Sequence, residues 1–343
     1  MRSRIFTITA GLVVAALGVA GCTSGRGAAG RSAAPDDGRP AGSAQQPGVD
    51  PEGGAPASTS APSPPPGRKP PSRGEITSWV YQLQGYDKDG LGALARSPHR
   101  LAVIDLARDA KSAYFRPDEI AALHASGKRV LAYFEIGSIE EFRPEYGPVR
   151  QGAGDLVLNR WADWPNEHFV RYWDPRWWDR VVRPRIDQAL KAGFDGVYLD
   201  TPLAYEELDL GLTPGQSRES LGRAMVDLIV RISRYAKAQR PDFWIFPQNS
   251  PELRRYSGYT EAIDGIGMEE LFFRATDQAC TQDFCAENLA NARALRDAGK
   301  LVLAVDYAQN GTNVRTACGR YRTERIAGYV TVRDLDRIAA PCG

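Results

Sequence analysis

The sequence predicts an α/β fold: a single (β/α)8 TIM barrel, preceded by a signal peptide and a disordered tether. Three observations carry that reading. Eight short β-rich runs recur between residues 75 and 343, with amphipathic helical stretches between them. Neither a GxGxxG nor a GxxxxGK(S/T) motif is present, so a doubly wound nucleotide-binding sheet loses its support. All 7 Trp fall in this same stretch of 269 residues, a length that suits one large barrel or two small domains.

The parts before the barrel are unlike it. Residues 1–21 read as a lipoprotein signal peptide, because Arg2 and Arg4 precede an apolar run, near 8–19, that is too short to span a bilayer. Val19-Ala20-Gly21-Cys22 resembles the lipobox of bacterial lipoproteins, which implies cleavage before Cys22 and a diacylglycerol on its thiol. Ordinary secretion with a chance cysteine is the plainer alternative. Residues 22–74 read as the tether. From 23 to 74 there are 10 Gly, 11 Pro and no aromatic residue, too little apolar surface to offset the entropy of ordering. Pro64-Pro65-Pro66 and Pro70-Pro71 favour extended polyproline geometry.

Charge narrows the partners. The chain of 343 residues has 43 Lys plus Arg against 42 Asp plus Glu and no dense basic run, which argues against nucleic acid. The barrel stretch alone, 75–343, carries 35 basic and 38 acidic residues, a net charge of −3. No other segment is apolar enough to cross a bilayer, so the membrane is expected as a partner only through the lipid anchor, on the outer face of a bacterial cell.

Strands are expected at 79–84, 101–106, 129–136, 196–200, 243–247, 265–270, 301–307 and 328–332, and helices at 117–126, 175–191, 217–239 and 286–298. Asp174-Pro175 is a helix start, an N-cap acid followed by proline at the first helical position. Pro184 should kink or split that helix. Gly127 and Gly299 close two helices just before a strand. The stretch 138–174 is expected as a long loop.

Catalysis on such a barrel belongs at the carboxyl ends of the strands, and acids stand there repeatedly: Asp87, Asp105, Glu135, Asp200, Glu269-Glu270 and Asp306 beside Tyr307. They suit two-carboxylate chemistry or a cationic or polyhydroxylated substrate. Side-chain alternation selects two of them. If Val197 and Leu199 pack against helices, Tyr198 and Asp200 face the axis. The same logic sends Ile266 and Met268 outward and Glu269 inward, with Gly267 below it leaving room, and turns Glu270 to the helix layer or the rim.

Gly193-Phe194-Asp195-Gly196-Val197-Tyr198-Leu199-Asp200, followed by Ala204-Tyr205, resembles the signature of glycoside hydrolase family 114, the endo-α-1,4-polygalactosaminidases and related barrel proteins. Similar motifs follow in order. They are the run from Trp79 through Gln84 to Gly85, Val103-Ile104-Asp105, Ala132-Tyr133-Phe134-Glu135-Ile136-Gly137, Pro247-Gln248-Asn249, Glu269-Glu270-Leu271-Phe272, and Gly299-Lys300 leading into Asp306-Tyr307. The resemblance implies a glycoside hydrolase with catalytic Asp200 and Glu269. Substrate contacts are expected from Gln84, Asp87, Asp105, Glu135, Trp173, Tyr205, Asn249, Asp306 and Tyr307, at the strand ends and on nearby aromatic platforms. A fourth-strand Asp as nucleophile with a sixth-strand acid/base also resembles the α-galactosidase-like barrels, so retention is expected. Thr201-Pro202-Leu203 departs from the family's acid-rich continuation after Asp200, which makes the chemistry better supported than the substrate.

Rival readings have less to stand on. A metal-dependent deacetylase needs a His-rich ligand set, but only His99, His124 and His168 exist, with no HxxxH or HExxH spacing. No metal and no cofactor is expected. A serine esterase would need a GxSxG elbow. A non-catalytic carbohydrate-binding lipoprotein on the same barrel is the alternative function. Trp161, Trp164, Tyr172 and Trp173 could serve as sugar platforms or simply pack the loop down. Cys280, Cys285, Cys318 and Cys342 form an even set in an exported domain and point to two disulfides. Of the three pairings, Cys280–Cys285 with Cys318–Cys342 is the simplest.

If Cys22 carries the anchor, Cys22→Ala should move the protein from the membrane fraction to the soluble one or block its maturation. Retention of the variant, with no acyl mass on the wild-type peptide, would refute lipidation.

Overall fold

The protein is described as a computed structural model over residues 71–86 and 90–342. The signal peptide, nearly all of the tether, Cys22 and Asp87 lie outside the described residues.

Eight parallel strands build the arrangement of a TIM barrel: β1 Trp79–Gln82, β2 Leu101–Asp105, β3 Arg129–Glu135, β4 Gly196–Asp200, β5 Trp244–Pro247, β6 Gly265–Glu269, β7 Leu301–Tyr307 and β8 Ala327–Thr331. β1 to β5 hydrogen-bond in sequence order, and β6, β7 and β8 do the same. Two looser seams join the groups. Between β5 and β6, Asn249 N donates to the Gly267 carbonyl at 2.7 Å. Between β8 and β1, Leu83 N donates to the Leu335 carbonyl at 2.9 Å, beyond the end of β8. Each strand lies within a residue or two of its expected place.

The helices follow the caps read from the sequence. Pro117–Ala125 begins with Pro at its first position, and Arg218–Gln239 begins at Ser217, whose hydroxyl accepts from Ser220 N at 3.1 Å. Pro184 acts as expected, with a particular outcome. It has no N–H to offer the carbonyl of Arg180, and the turn Trp178–Val182 widens to π-helical bonding before Arg183–Ala192 resumes the α-helix. Helix Asp283–Asp297 starts three residues earlier than its sequence pattern.

The stretch 138–174 is not a plain loop. Ser138–Glu140, Glu167–Val170 and Val157–Arg160 form a three-stranded antiparallel sheet in that order, with helix Tyr146–Gly152 between its first two strands in sequence. A buried ion network pins it to the barrel. Arg143 reaches Asp105 at 3.0 Å, Glu135 at 3.2 Å and Glu140 at 2.9 Å. Arg185 reaches Glu135 at 3.2 Å and Glu145 at 2.9 Å. Cys280–Cys285 ties down the loop after β6, and Cys318–Cys342 ties the C-terminal tail to helix Gly311–Glu324.

Aromatic rings fill the barrel axis. Trp79 stacks on Tyr81 with centroids 5.7 Å apart, and Tyr198 packs 5.3 Å from Tyr81 and 6.2 Å from Trp79. Gly267 is the counterpart of Tyr198 across the axis, since a Cβ there would overlap the Tyr198 hydroxyl. The space that the sequence reserved beside Glu269 is thus taken by the Tyr198 ring one layer below. Gly267→Ala should cost about 1–3 kcal/mol through overpacking, read as a lower urea midpoint. An unchanged midpoint would mean that Tyr198 can leave the axis freely.

Candidate active site

Alternation along β4 brings Asp200 into the barrel mouth above Tyr198, and alternation along β6 brings Glu269 there above Gly267. Asp200 accepts from the Tyr133 hydroxyl at 2.5 Å and from Thr201 N at 2.6 Å. Glu269 accepts from the Tyr307 hydroxyl, from Gln248 Nε2 and from Asn249 Nδ2, the last at 3.1 Å. Gln248 is itself fixed by the Tyr81 hydroxyl, which donates to its Oε1 at 2.9 Å. Asn249 is held twice, because its Oδ1 also accepts Glu269 N at 2.9 Å. Glu270 turns away, as alternation requires. Its carboxylate accepts Ala275 N at 2.8 Å, in the turn of a short hairpin.

Neighbouring charge adds to burial at both carboxylates. Burial pushes Asp200 up to about 7, and the charge of Glu269 adds to the rise against the hydrogen bonds from Tyr133 and Thr201. Burial also raises Glu269, opposed by the Tyr307, Asn249 and Gln248 hydrogen bonds and reinforced by Glu270. Close by, burial and the charge of Glu135 push Glu140 up to about 8. Glu167 is raised too, by burial first and then by Glu140 and Asp200. The mouth is therefore crowded with acids whose charges oppose one another.

Thr201, the residue after Asp200, holds the mouth together. It has φ 60, costly for a β-branched residue. Its hydroxyl oxygen accepts Gly137 N at 3.0 Å and lies 2.9 Å from Ser138 Oγ, joining the end of β4 to the added sheet.

Of the residues named from the sequence, Asp200, Glu269, Asn249 and Tyr307 come together. Tyr205 is buried nearby, with its hydroxyl bonded to Glu252 and Glu206 beneath the cleft. Others do different work. Asp105 and Glu135 belong to the buried ion network. Asp306 is fully buried and faces the helix layer, where it accepts Phe272 N and Phe273 N, both at 2.8 Å, and the Tyr321 hydroxyl. The reason is parity: Tyr307 faces the axis, so its neighbour cannot. Gln84 lies at the rim with its amide on the Asp334 carbonyl at 2.6 Å. Trp173 packs edge-on against Tyr172 at 5.0 Å, with the Arg171 guanidinium over its ring.

Sequence reasoning left out three donors, Tyr81, Tyr133 and Gln248. Their signal was present, since Tyr133 lies two residues before Glu135 on β3 and Gln248 directly follows β5. A cleft opens beside Glu269. Trp161, Trp164 and Phe284 line it with Glu206, Glu207, Glu252 and Glu270, and Arg333 is the one basic residue among the described lining residues. Arg333 sits over the Trp164 ring at 5.3 Å.

The profile of glycoside-hydrolase family GH114 matches residues 57–343. An uncharacterized protein of Deinococcus radiodurans is 34% identical over 291 residues, covering 83% of this chain and 91% of its own. The fold is similar to the glycoside hydrolase domain of PelA from Pseudomonas aeruginosa, with TM-score 0.61 and 18% identity, over 77% of this chain and 98% of that one. It is similar as well to Ega3 of Aspergillus fumigatus, solved in complex with galactosamine, with TM-score 0.60 and 17% identity over 80% and 98% of the two chains.

Asp200 is raised above its unfolded value, so its burial destabilises the fold increasingly as pH climbs from about 4 to about 7. Below that window both states are protonated and nothing is lost. Asp200→Asn should therefore raise the melting temperature relative to wild type at pH 8 and change it little at pH 4. An equal shift at both pH values would mean that Asp200 does not titrate in this window.

Proposed function

The chain belongs to glycoside-hydrolase family GH114, and we propose that it hydrolyses an α-linked, galactosamine-containing polysaccharide by two-carboxylate chemistry while anchored at the outer face of the bacterial membrane. The observation that carries the reading is the pair Asp200 and Glu269, at the carboxyl ends of β4 and β6, each gripped by mouth side chains and each raised by burial. Glycoside hydrolysis needs one carboxylic acid to protonate the leaving oxygen and one carboxylate as nucleophile or base. A pair in which one member titrates near 7 supplies both states at neutral pH. The acidic, Trp-lined cleft beside Glu269 suits a sugar polymer bearing amines, and the galactosamine bound by Ega3 makes that amino sugar the first to try.

Asp200 is assigned as nucleophile and Glu269 as general acid/base, following their strand positions and the family motif. One observation favours the reverse. Three side chains donate to Glu269 and stabilise its anion, while Asp200 titrates near 7. The pH profile separates the two. With Asp200 as nucleophile, kcat/KM on an uncharged substrate should rise as pH passes through about 7; with Asp200 as acid, it should fall.

Incubation with acetylated and deacetylated galactosamine polymers, followed by mass analysis, tests the activity. Asp200→Asn and Glu269→Gln should each lower turnover by about 10²–10⁴-fold while leaving polymer binding. Glu269→Gln should lose least on substrates with activated aryl leaving groups. Binding without product release by the wild type would favour the non-catalytic carbohydrate-binding role. Near wild-type turnover in Asp200→Asn would reject the pair.

A further inference from the structure

At the opposite end of the barrel, where the strands begin, a groove runs along residues at the starts of β1, β7 and β8. Arg73, Arg296, Lys300, Arg322 and Arg325 line it, and its described lining residues include no Asp or Glu. Some of this charge is met nearby. Arg73 reaches Asp264 at 3.3 Å, and Arg296 reaches Glu324 at 3.6 Å and Asp297 at 2.8 Å. Those three acids are not among the groove's described lining residues, which carry the five cations, although Asp297 is itself exposed beside them. Cys342, bonded to Cys318, bounds one end, so the tail that frames the groove is covalently held.

Two further observations say what could cover it. The barrel is polarised, with a cleft of carboxylates at the mouth and this cluster of cations at the floor. The chain also arrives on the floor. Arg73 and Gly74 line the groove themselves, and Arg129 Nε donates to the Pro71 carbonyl at 2.9 Å. Only 48 residues lie between Cys22 and Pro71. Whatever their path, they reach no farther than roughly 170 Å. An anchor at Cys22 would therefore hold even a weak floor site at high effective concentration beside the bilayer.

We propose that the basic floor docks on the phosphates of anionic lipid headgroups, turning the acidic mouth away from the membrane. An anionic surface attracts basic clusters within about a Debye length and repels the carboxylates of the opposite face. The orientation follows from the two charges acting together. It stands apart from the hydrolase reading, because a sugar-binding barrel without turnover would dock in the same way.

The test is sedimentation of the full chain carrying Cys22→Ser, which cannot be acylated at that position, with vesicles of phosphatidylcholine alone or with phosphatidylglycerol added. Partition onto the anionic vesicles should be at least about 10-fold stronger, and raising salt from about 0.05 to 0.5 M should abolish the difference. Arg322→Glu combined with Arg325→Glu should lose about 10-fold of that partition. If the charge reversals lower the melting temperature, the pair Arg322→Gln and Arg325→Gln is read instead. Equal partition onto both vesicle types, or full binding by both double variants, overturns the proposal. Displacement by millimolar inorganic phosphate at constant ionic strength also overturns it, since the groove would then be a site for a free anion.

Discussion

The mouth of this barrel depends on a ring fitted against a missing side chain. Tyr198 fills the axis because Gly267 has no Cβ, and the two residues lie two positions before Asp200 and Glu269 on their strands. The strand period of two then lifts both carboxylates into the layer directly above. The contact that closes the core thus also sets which acids meet. Close packing makes it unforgiving, since interiors have no slack for even one methyl group.

Above that layer the protein holds two half-buried carboxylates close together. Tyr133, Tyr307, Gln248 and Asn249 take the place of water around Asp200 and Glu269, and Tyr81 fixes Gln248 in turn. Hydrogen bonds favour the charged forms, whereas burial and the charge of a neighbouring acid favour the neutral ones. Burial prevails at both acids, and at Asp200, pushed up to about 7, it leaves a proton available near neutral pH. The neighbouring ion network resolves the same conflict differently. Arg143 and Arg185 neutralise Asp105 and Glu135, which therefore serve to clamp the added sheet rather than to face a substrate.

The added sheet reaches Asp200 through Thr201. Its first strand bonds to the Thr201 hydroxyl, and the Thr201 amide bonds to Asp200. A left-handed backbone at a β-branched residue is tolerated there because hydrogen bonds from three directions fix it. Position 201 thus contributes hydrogen bonds and backbone geometry to the mouth.

The sequence alone determined the barrel, the places of its eight strands, the helix caps and the inward direction of Asp200 and Glu269. Each of these follows from a local rule, a period of two or a capping residue, that neighbouring residues express by themselves. The same rule would have excluded Asp306 once Tyr307 was set inward. Only the tertiary structure decided the rest. Arg143 meets Asp105 across 38 positions and Gln248 meets Tyr81 across 167, and no local pattern records such partners. Strands of three or four residues in 138–174 are too short to show a period, so their sheet exists only through pairing. Whether a strand-end acid faces substrate or clamps a neighbour is decided by the cation that folding brings to it, because a buried carboxylate must either be paired or give up its charge.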